Sequence, residues 1–390
     1  DFLLDRQLED GGFSEGDAEP ARITANALRA LLRAECSDGA AVHRAASRLA
    51  REFPFPASVA ETARAALALY HHRITDGPAE PVSRLRRGPD GSLVGADWTY
   101  CVEALEQVSR SFARPIAALP EPLRSAVTCG YLLCRIADTI EDAPDTEAAR
   151  RDVHYSRLLD VLEGRRHPSH FTRAIGDLVG KPEELELCAR IARVLHVLDT
   201  VPAPMADAVK RWSSEMVRGM AIYSHRPLGA DAIRAPAGIA DLERYCYFVA
   251  GTVGQMLTEL FLLHVEEVSP SAVRTLREEA ESFGIGLQLV NILKDITDDQ
   301  VRGVSYVPRS LAEERGVALP ELLDASRRAA AHDVVAPLFD VARAHLDRAL
   351  EYVLAIPQSE PRVRIFCLLP LWMAARTLVH ARGNDAMFVP

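Results

Sequence analysis

Lysine is almost missing from this chain: of 45 basic residues only Lys181, Lys210 and Lys294 are lysine, and the rest are arginine. With so many alanines, the skew reads as codon usage, and it makes each lysine that is present informative. Basic charge as a whole is in deficit, with a net charge of −10. That excludes a nucleic-acid binder, which needs a basic stripe to release phosphate counterions, so any phosphorylated ligand requires a local or metal-bridged site. Paired cysteine spacing is also lacking. The seven cysteines are an odd number, and Cys101, Cys129, Cys134, Cys246 and Cys367 lie in apolar, helix-like stretches where a free thiol behaves as a small hydrophobe. A reducing, cytoplasmic compartment is expected. No run reaches the roughly 18 uninterrupted apolar residues of a membrane span; the closest, Ile365 to Ala381, is interrupted by Pro370, Arg376 and His380. No signal peptide is read at the start of the chain, which begins at Asp1. Alternating β-branched runs are nearly absent, which argues against a sheet.

What is present is aliphatic spacing of three and four residues over most of the 390 positions, the mark of an all-α protein. The spacing predicts helices over Thr24–Ala34, Ala40–Phe53, Ala57–His72, Trp98–Gln107, Pro122–Asp142, Thr146–Gly164, Glu183–Asp199, Met205–Ser224, Ile239–Val265, Ala272–Thr297, Ser326–Ile356 and Arg362–Ala381. Between Thr75 and Gly95, proline and glycine concentrate without an apolar stripe. This predicts a linker over 76–95, between a helical extension over 1–75 and a main domain over 96–390. The extension opens with LLDRQLEDGGF, which resembles one α/α-toroid repeat of terpene cyclases and prenyltransferases. A single repeat cannot close a toroid core, so a remnant of such a module, or an ordinary helical hairpin, is expected.

Two acidic stripes carry the chemical signal. In GYLLCRIADTIEDAP, Asp138, Glu141 and Asp142 share one helical face, extended backward by Arg135 and Tyr131. Crowded carboxylates repel one another unless a cation joins them, so this face calls for Mg²⁺ or an arginine; a solvated acidic helix end is the alternative. In GIGLQLVNILKDITDDQVRG, Asn291, Asp295 and Asp299 recur at i, i+4 and i+8, with Gln288 a turn earlier and Asp298 beside them. Acids near a helix C-terminus oppose its dipole, which weighs against a purely structural reason. Two such stripes facing each other suit several Mg²⁺ ions around a diphosphate, with apolar helices enclosing a hydrocarbon chain.

The segments VSRSFARPIAALP, YLLCRIADTIED, YCYFVAGTVGQML, LQLVNILKDITDD and GVSYVP, in this order, resemble the squalene/phytoene synthase family over residues 97 to 385. The terminal RIFCLLPLWMAARTL is more similar to squalene than to phytoene synthases. The resemblance implies an isoprenoid-synthase helical bundle. It also implies a Mg²⁺-dependent prenyltransferase, with two or three ions, that joins two farnesyl diphosphates head-to-head to presqualene diphosphate and then reduces it to squalene with NADPH. The family's other reactions, to phytoene, dehydrosqualene or a cyclic terpene, and a non-catalytic helical scaffold are the alternatives.

By the same resemblance Asp138, Asp142, Asp295 and Asp299 are the metal-binding aspartates, assisted by Glu141 and Asn291. Ser109, Arg110, Ser111 and Phe112 contact diphosphate, as do Tyr131 and Arg135; a simple Arg135–Asp138 pair is the plainer reading of that arginine. Tyr245 assists proton removal or stabilises a cation. Val249, Gly251, Val253, Leu257 and Gln288 form the pocket wall, where small residues would let prenyl chains pass close to the helix, although tight helix packing explains the same glycines. Phe366 offers a π face to a cation, and Tyr306 belongs to a flap-like segment. Lys294 stands where many family members have arginine; a phosphate contact and a solvent-facing lysine are the two readings. The implied partner is a prenyl diphosphate, with no nucleic acid. The greasy substrate and product imply peripheral membrane contact without the C-terminal anchor of eukaryotic squalene synthases.

Overall fold

The computed structural model describes residues 95–109, 111–143 and 147–389. The helices expected before residue 75, the linker and the toroid-like repeat lie outside the described residues. Those that are described fall in two compact units, 356–368 in one and 95–355 with 369–389 in the other.

Among the described residues the structure is all-α, and the only β pairings are isolated bridges joining Leu228 to Arg234 and Arg234 to Val304. The main helices are α1 (Gly95–Val108), α2 (Leu123–Asp142), α3 (Ala148–Leu162), α4 (Pro182–Ala189), α5 (Ile191–Leu198), α6 (Ala203–Tyr223), α7 (Ile239–Cys246), α8 (Thr252–His264), α9 (Pro270–Lys294), α10 (Ile296–Val301), α11 (Arg328–Ala355) and α12 (Pro361–Ala381). Short helical turns at Ala113–Ala117, Ser169–Thr172 and Arg309–Glu313 connect them.

Helix α2 shows why the apolar spacing works. Leu123, Ala126, Val127, Leu132, Leu133, Ile136, Ala137 and Ile140 are buried, and the stripe packs against α1, α5, α6 and α8. Along its length α9 lies against α11, where Phe283 stacks on Tyr352 with centroids 5.1 Å apart. Across α7, α9 and α11, His345 hydrogen-bonds Ser282 through Nδ1 at 3.2 Å and Glu243 through Nε2 at 3.1 Å. This ties the helix that bears Tyr245 into the bundle. Free cysteines at 101, 129, 134, 246 and 367 occupy helices, as the spacing predicts, and all but Cys134 are buried.

Three predicted helices are interrupted. Glu183–Asp199 divides at Arg190, whose φ of −104° and ψ of 16° leave the helical region. Ile239–Val265 contains a π turn over Tyr247–Gly251, in which the Thr252 N–H bonds the Tyr247 carbonyl. Ala272–Thr297 breaks at Asp295, with φ −107° and ψ 17°. Apolar spacing runs through all three breaks, so periodicity does not register them. The segments Ile239–His264 and Pro361–Ala381 are long and apolar enough to cross a membrane, and about half of each is buried inside the structure.

Candidate active site

The first acidic stripe ends α2 and points its members in different directions. Asp138 pairs with Arg135, Nη1 to Oδ2 at 3.6 Å, and Arg135 Nη2 donates to the Tyr131 hydroxyl at 3.4 Å. The Phe112 ring stands 5.9 Å from Tyr131. Phe112, Tyr131, Arg135 and Asp138 are therefore one cluster, and the Arg135 Nε, buried without a hydrogen bond, remains to be satisfied. Burial, opposed by Arg135 and reinforced by Asp142, lifts the Asp138 carboxyl to about 6. Glu141 turns inward and accepts a hydrogen bond from the Tyr245 hydroxyl at 3.1 Å. Burial and then Asp142 push the Glu141 carboxyl up to about 8.

The second stripe is not one helical face. α9 stops at Lys294, Asp295 forms the junction, and Asp299 sits on α10. Backbone bonds carry the i, i+4 spacing across the break, from Asp295 N–H to the Asn291 carbonyl at 2.9 Å and from Asp299 N–H to the Asp295 carbonyl at 3.0 Å. Asn291 is exposed and Gln288 half-buried. Asp295 makes a surface pair with Lys294 at 3.3 Å. The side chain of Asp299 is only 6% exposed, and burial, opposed by Arg302, raises its carboxyl to about 6.

The two stripes meet through a residue that sequence reasoning passed over. Arg302 donates from Nη1 to Asp142 Oδ1 and from Nη2 to Asp299 Oδ1, both at 2.5 Å. Its i+3 spacing from Asp299 was a readable signal of this pair. The link to Asp142, across 160 residues, was not.

Beside this junction lie two tyrosines. Tyr245 and Tyr306 have hydroxyls 3.0 Å apart and rings stacked at 4.8 Å and 22°. Burial and then Glu141 push both phenols well above the ordinary tyrosine range. A second overlooked residue, Arg226, lies over the rings of Tyr223 at 4.8 Å and Tyr245 at 5.4 Å. Its side chain is 8% exposed and its Nη2 has no hydrogen bond. It comes after α6 in a polar SHRP stretch, where nothing in the sequence marks it.

The remaining candidates scatter. Ser109 is buried and its Oγ accepts the Phe112 N–H at 3.0 Å, a local turn bond. Ser111 is exposed, and Arg110 lies outside the described residues. Val249 and Gly251 occupy the π turn, and Val253 and Leu257 the start of α8. A π turn adds a residue to the helical path and rotates the helix C-terminal to it, so Val253 and Leu257 present a different face from the one an unbroken helix would offer. Lys294 is 53% exposed. Phe366 is buried and falls in the unit containing 356–368.

Among the described residues no three His, Cys, Asp or Glu side chains converge as a metal-binding group. The donor chemistry nevertheless suits a hard divalent ion. Carboxylates of Asp142 and Asp299, from separate elements, already share one cationic guanidinium, and Mg²⁺ commonly uses only one or two protein carboxylates beside water and phosphate oxygens.

The squalene/phytoene synthase family model matches residues 105–390. Squalene synthase BSS of Botryococcus braunii is 28% identical over 295 residues, covering 75% of this chain and 60% of that protein. Squalene synthase ERG9 of Candida albicans is 29% identical, covering 73% and 62%. The chain thus spans about 60% of the length of such relatives. A solved structure of TcSQS with the ligand BPH1237 superposes with a TM-score of 0.65 at 28% identity, covering 75% of this chain and 81% of that one. The squalene synthase HpnC from Alicyclobacillus acidocaldarius, at 20% identity and a TM-score of 0.52, shares the fold. An all-α isoprenoid-synthase architecture, two acid-bearing elements joined at one point and a match over most of the chain lead to one assignment: the protein belongs to the squalene/phytoene synthase family.

Proposed function

We propose that this chain, through its 96–390 domain, carries out the Mg²⁺-dependent head-to-head condensation of two farnesyl diphosphates to presqualene diphosphate, followed by NADPH-dependent reduction to squalene. The observation that supports it most is the meeting of the two acidic stripes at one shared cation, beside a buried tyrosine pair. Asp138, Asp142, Asp295 and Asp299 would hold the metal, with Asn291 at the edge. The chemistry supplied there is Lewis-acid neutralisation of a diphosphate, which makes it a better leaving group.

The chain's own residues do the rest. Arg135, with its unsatisfied Nε, and Tyr131 grip diphosphate oxygens, a task suited to a guanidinium fork. Tyr245, held neutral by burial, cannot act as a phenolate. With Glu141 ionised, Tyr245 takes a substrate proton at its hydroxyl oxygen while passing its own to Glu141 Oε1, the acceptor 3.1 Å away, whose raised carboxyl pKa makes it the stronger base in that form. Tyr306 fixes the Tyr245 hydroxyl from the other side. Apolar side chains of the π turn and α8 exclude water from the cation.

The test is incubation of purified protein with farnesyl or geranylgeranyl diphosphate and Mg²⁺, with and without NADPH, and identification of the hydrocarbons by mass spectrometry. Squalene that appears only with NADPH is the expected result. A cyclic product from a single diphosphate overturns the head-to-head reading, and failure to release diphosphate under every condition favours a non-catalytic scaffold.

A further inference from the structure

The backbone around Arg302 is held by a set of hydrogen bonds on both sides. It caps α10, with its N–H on the Asp299 carbonyl at 3.0 Å, and Gly303 comes next in the left-handed region at φ 73°. There a side chain would be strained, so glycine permits the reversal. The Gly303 carbonyl then accepts the Arg234 N–H at 3.1 Å, and the Ser305 N–H returns to the Arg234 carbonyl at 2.8 Å. Gln300 Nε2 bonds the Leu319 carbonyl at 2.8 Å. These bonds make a strap over 302–306 that begins at the guanidinium between Asp142 and Asp299 and ends at Tyr306, stacked on Tyr245.

The two terminal nitrogens of one guanidinium each stand 2.5 Å from a carboxylate oxygen, one of Asp142 and one of Asp299, so Arg302 supplies the positive charge that a divalent ion would otherwise bring to the same two acids. We propose that Arg302 is the resident counter-cation of the acidic site: it competes with divalent metal for Asp142 and Asp299, and metal loading frees its guanidinium to bind the diphosphate. This rests on the metal-dependent reading above. It assigns opposite effects to one side chain, against metal and for diphosphate. In the unloaded protein the arginine offsets the repulsion between Asp142 and Asp299. In the loaded protein the same fork would be free to meet phosphate oxygens, for which its planar geometry is suited.

The experiment uses the whole chain and two probes, Mn²⁺ alone and inorganic pyrophosphate. Mn²⁺ affinity is read by electron paramagnetic resonance of the free ion. Pyrophosphate affinity is read by calorimetry at saturating Mn²⁺. Relative to the wild type, Arg302→Gln is expected to bind Mn²⁺ about tenfold tighter and pyrophosphate about tenfold more weakly, since one positive charge a few ångströms away is lost in each case. Arg302→Lys, whose single ammonium cannot fork between both carboxylates, is expected to fall between them for Mn²⁺, and it keeps the test decisive should the glutamine variant fail to fold. Mn²⁺ affinity unchanged or weakened in both variants overturns the competition. Unchanged pyrophosphate affinity overturns the second role. If neither wild type nor variants bind Mn²⁺, the metal-dependent reading fails and the proposal with it; equal binding by all three sinks the proposal alone.

Discussion

α2 delivers its carboxylates from an unbroken helix, whereas the second set straddles a helix break. On α2 the acids divide their work: Asp138 faces a tyrosine and an arginine, Glu141 turns to the tyrosine pair, and Asp142 reaches outward, 51% exposed, to Arg302. Around Asp295 the helix path bends, so Asp295 stays near the surface beside Lys294 while Asp299 is drawn in to 6% exposure. The same residue types at the same spacing thus acquire different surroundings, because backbone geometry decides which carboxylates lose water. Under the proposed function metal-binding duty falls on both elements, and the burial of the charges is uneven between them.

Neutralising one acid on each side should cost the most activity. Asp138→Asn and Asp295→Asn should each lose on the order of 10³-fold in turnover, about 4 kcal/mol of barrier, if both elements serve the leaving diphosphate. Diphosphate release is the assay, and circular dichroism should show helicity intact. Near-normal turnover in either variant would reduce the site to a single acidic element.

Packing offers a second contrast. A Cβ at Gly284 on α9 would stand 2.0 Å from the Ala250 carbonyl oxygen, so only a backbone shift could admit it. One at Gly130 on α2 would meet the far end of the Met256 side chain, at 3.0 Å from Cε, which can turn aside. Gly284→Ala should therefore cost about 3 kcal/mol of stability and Gly130→Ala less than about 1 kcal/mol. Urea unfolding checks the pair, and equal losses would mean the two helices are equally locked. Ala250 lies on the π turn, so the first variant also probes whether that turn is held by α9.

Burial shifts carboxyl acidity on both elements. Asp138 and Asp299 titrate near 6 in the folded protein against ordinary values near 3.8, and Glu141 near 8 against 4.5. Raised carboxyl values mean that the folded state holds protons the unfolded state has released. Stability of the metal-free protein should therefore fall as pH rises from about 4 to about 8, the limb below 6 carrying the two aspartates together with Glu141 and the limb from 6 to 8 carrying Glu141 alone. Glu141→Gln should flatten the upper limb and make the lower one shallower, leaving there the slope due to the two aspartates. Thermal unfolding in a chelating buffer at pH 5, 6.5 and 8 measures this, and an upper limb unchanged in the variant would remove Glu141 from the account.

These contrasts mark what the sequence could carry. Apolar spacing in LRSAVTCGYLLCRIADTIED was enough for α2 and for the cluster of Tyr131, Arg135 and Asp138 on its surface, because each successive contact lies within four residues. The motifs placed the chain in its family for the same reason. The π turn at Tyr247–Gly251 and the break at Asp295 were not legible, since α- and π-helical paths place apolar residues at nearly the same intervals and only neighbouring helices select between them. Arg302 was legible as a partner for Asp299 and illegible as a partner for Asp142, a contact that exists only after the chain has folded. The pairing of Glu141 with Tyr245 is of the same non-local kind.

Lys294 gives the smallest and most discriminating test. In a chain that uses arginine almost everywhere, its identity suggests a specific contact, but its ammonium is 53% exposed and pairs at 3.3 Å with Asp295, itself 38% exposed. Such a pair is worth no more than about 1 kcal/mol and is weakened by salt. Lys294→Arg should then leave stability within about 0.5 kcal/mol of wild type, because an arginine reaches the same carboxylate from the same exposed position. Any effect should appear instead in the KM for the proposed substrate, farnesyl diphosphate, as a modest change with kcat unaltered, if the compact ammonium touches a phosphate oxygen in the complex. A loss of stability larger than about 1 kcal/mol would show that Lys294 holds the break at Asp295 in shape, and the second element would then depend on its own flanking cation as the first depends on Arg135.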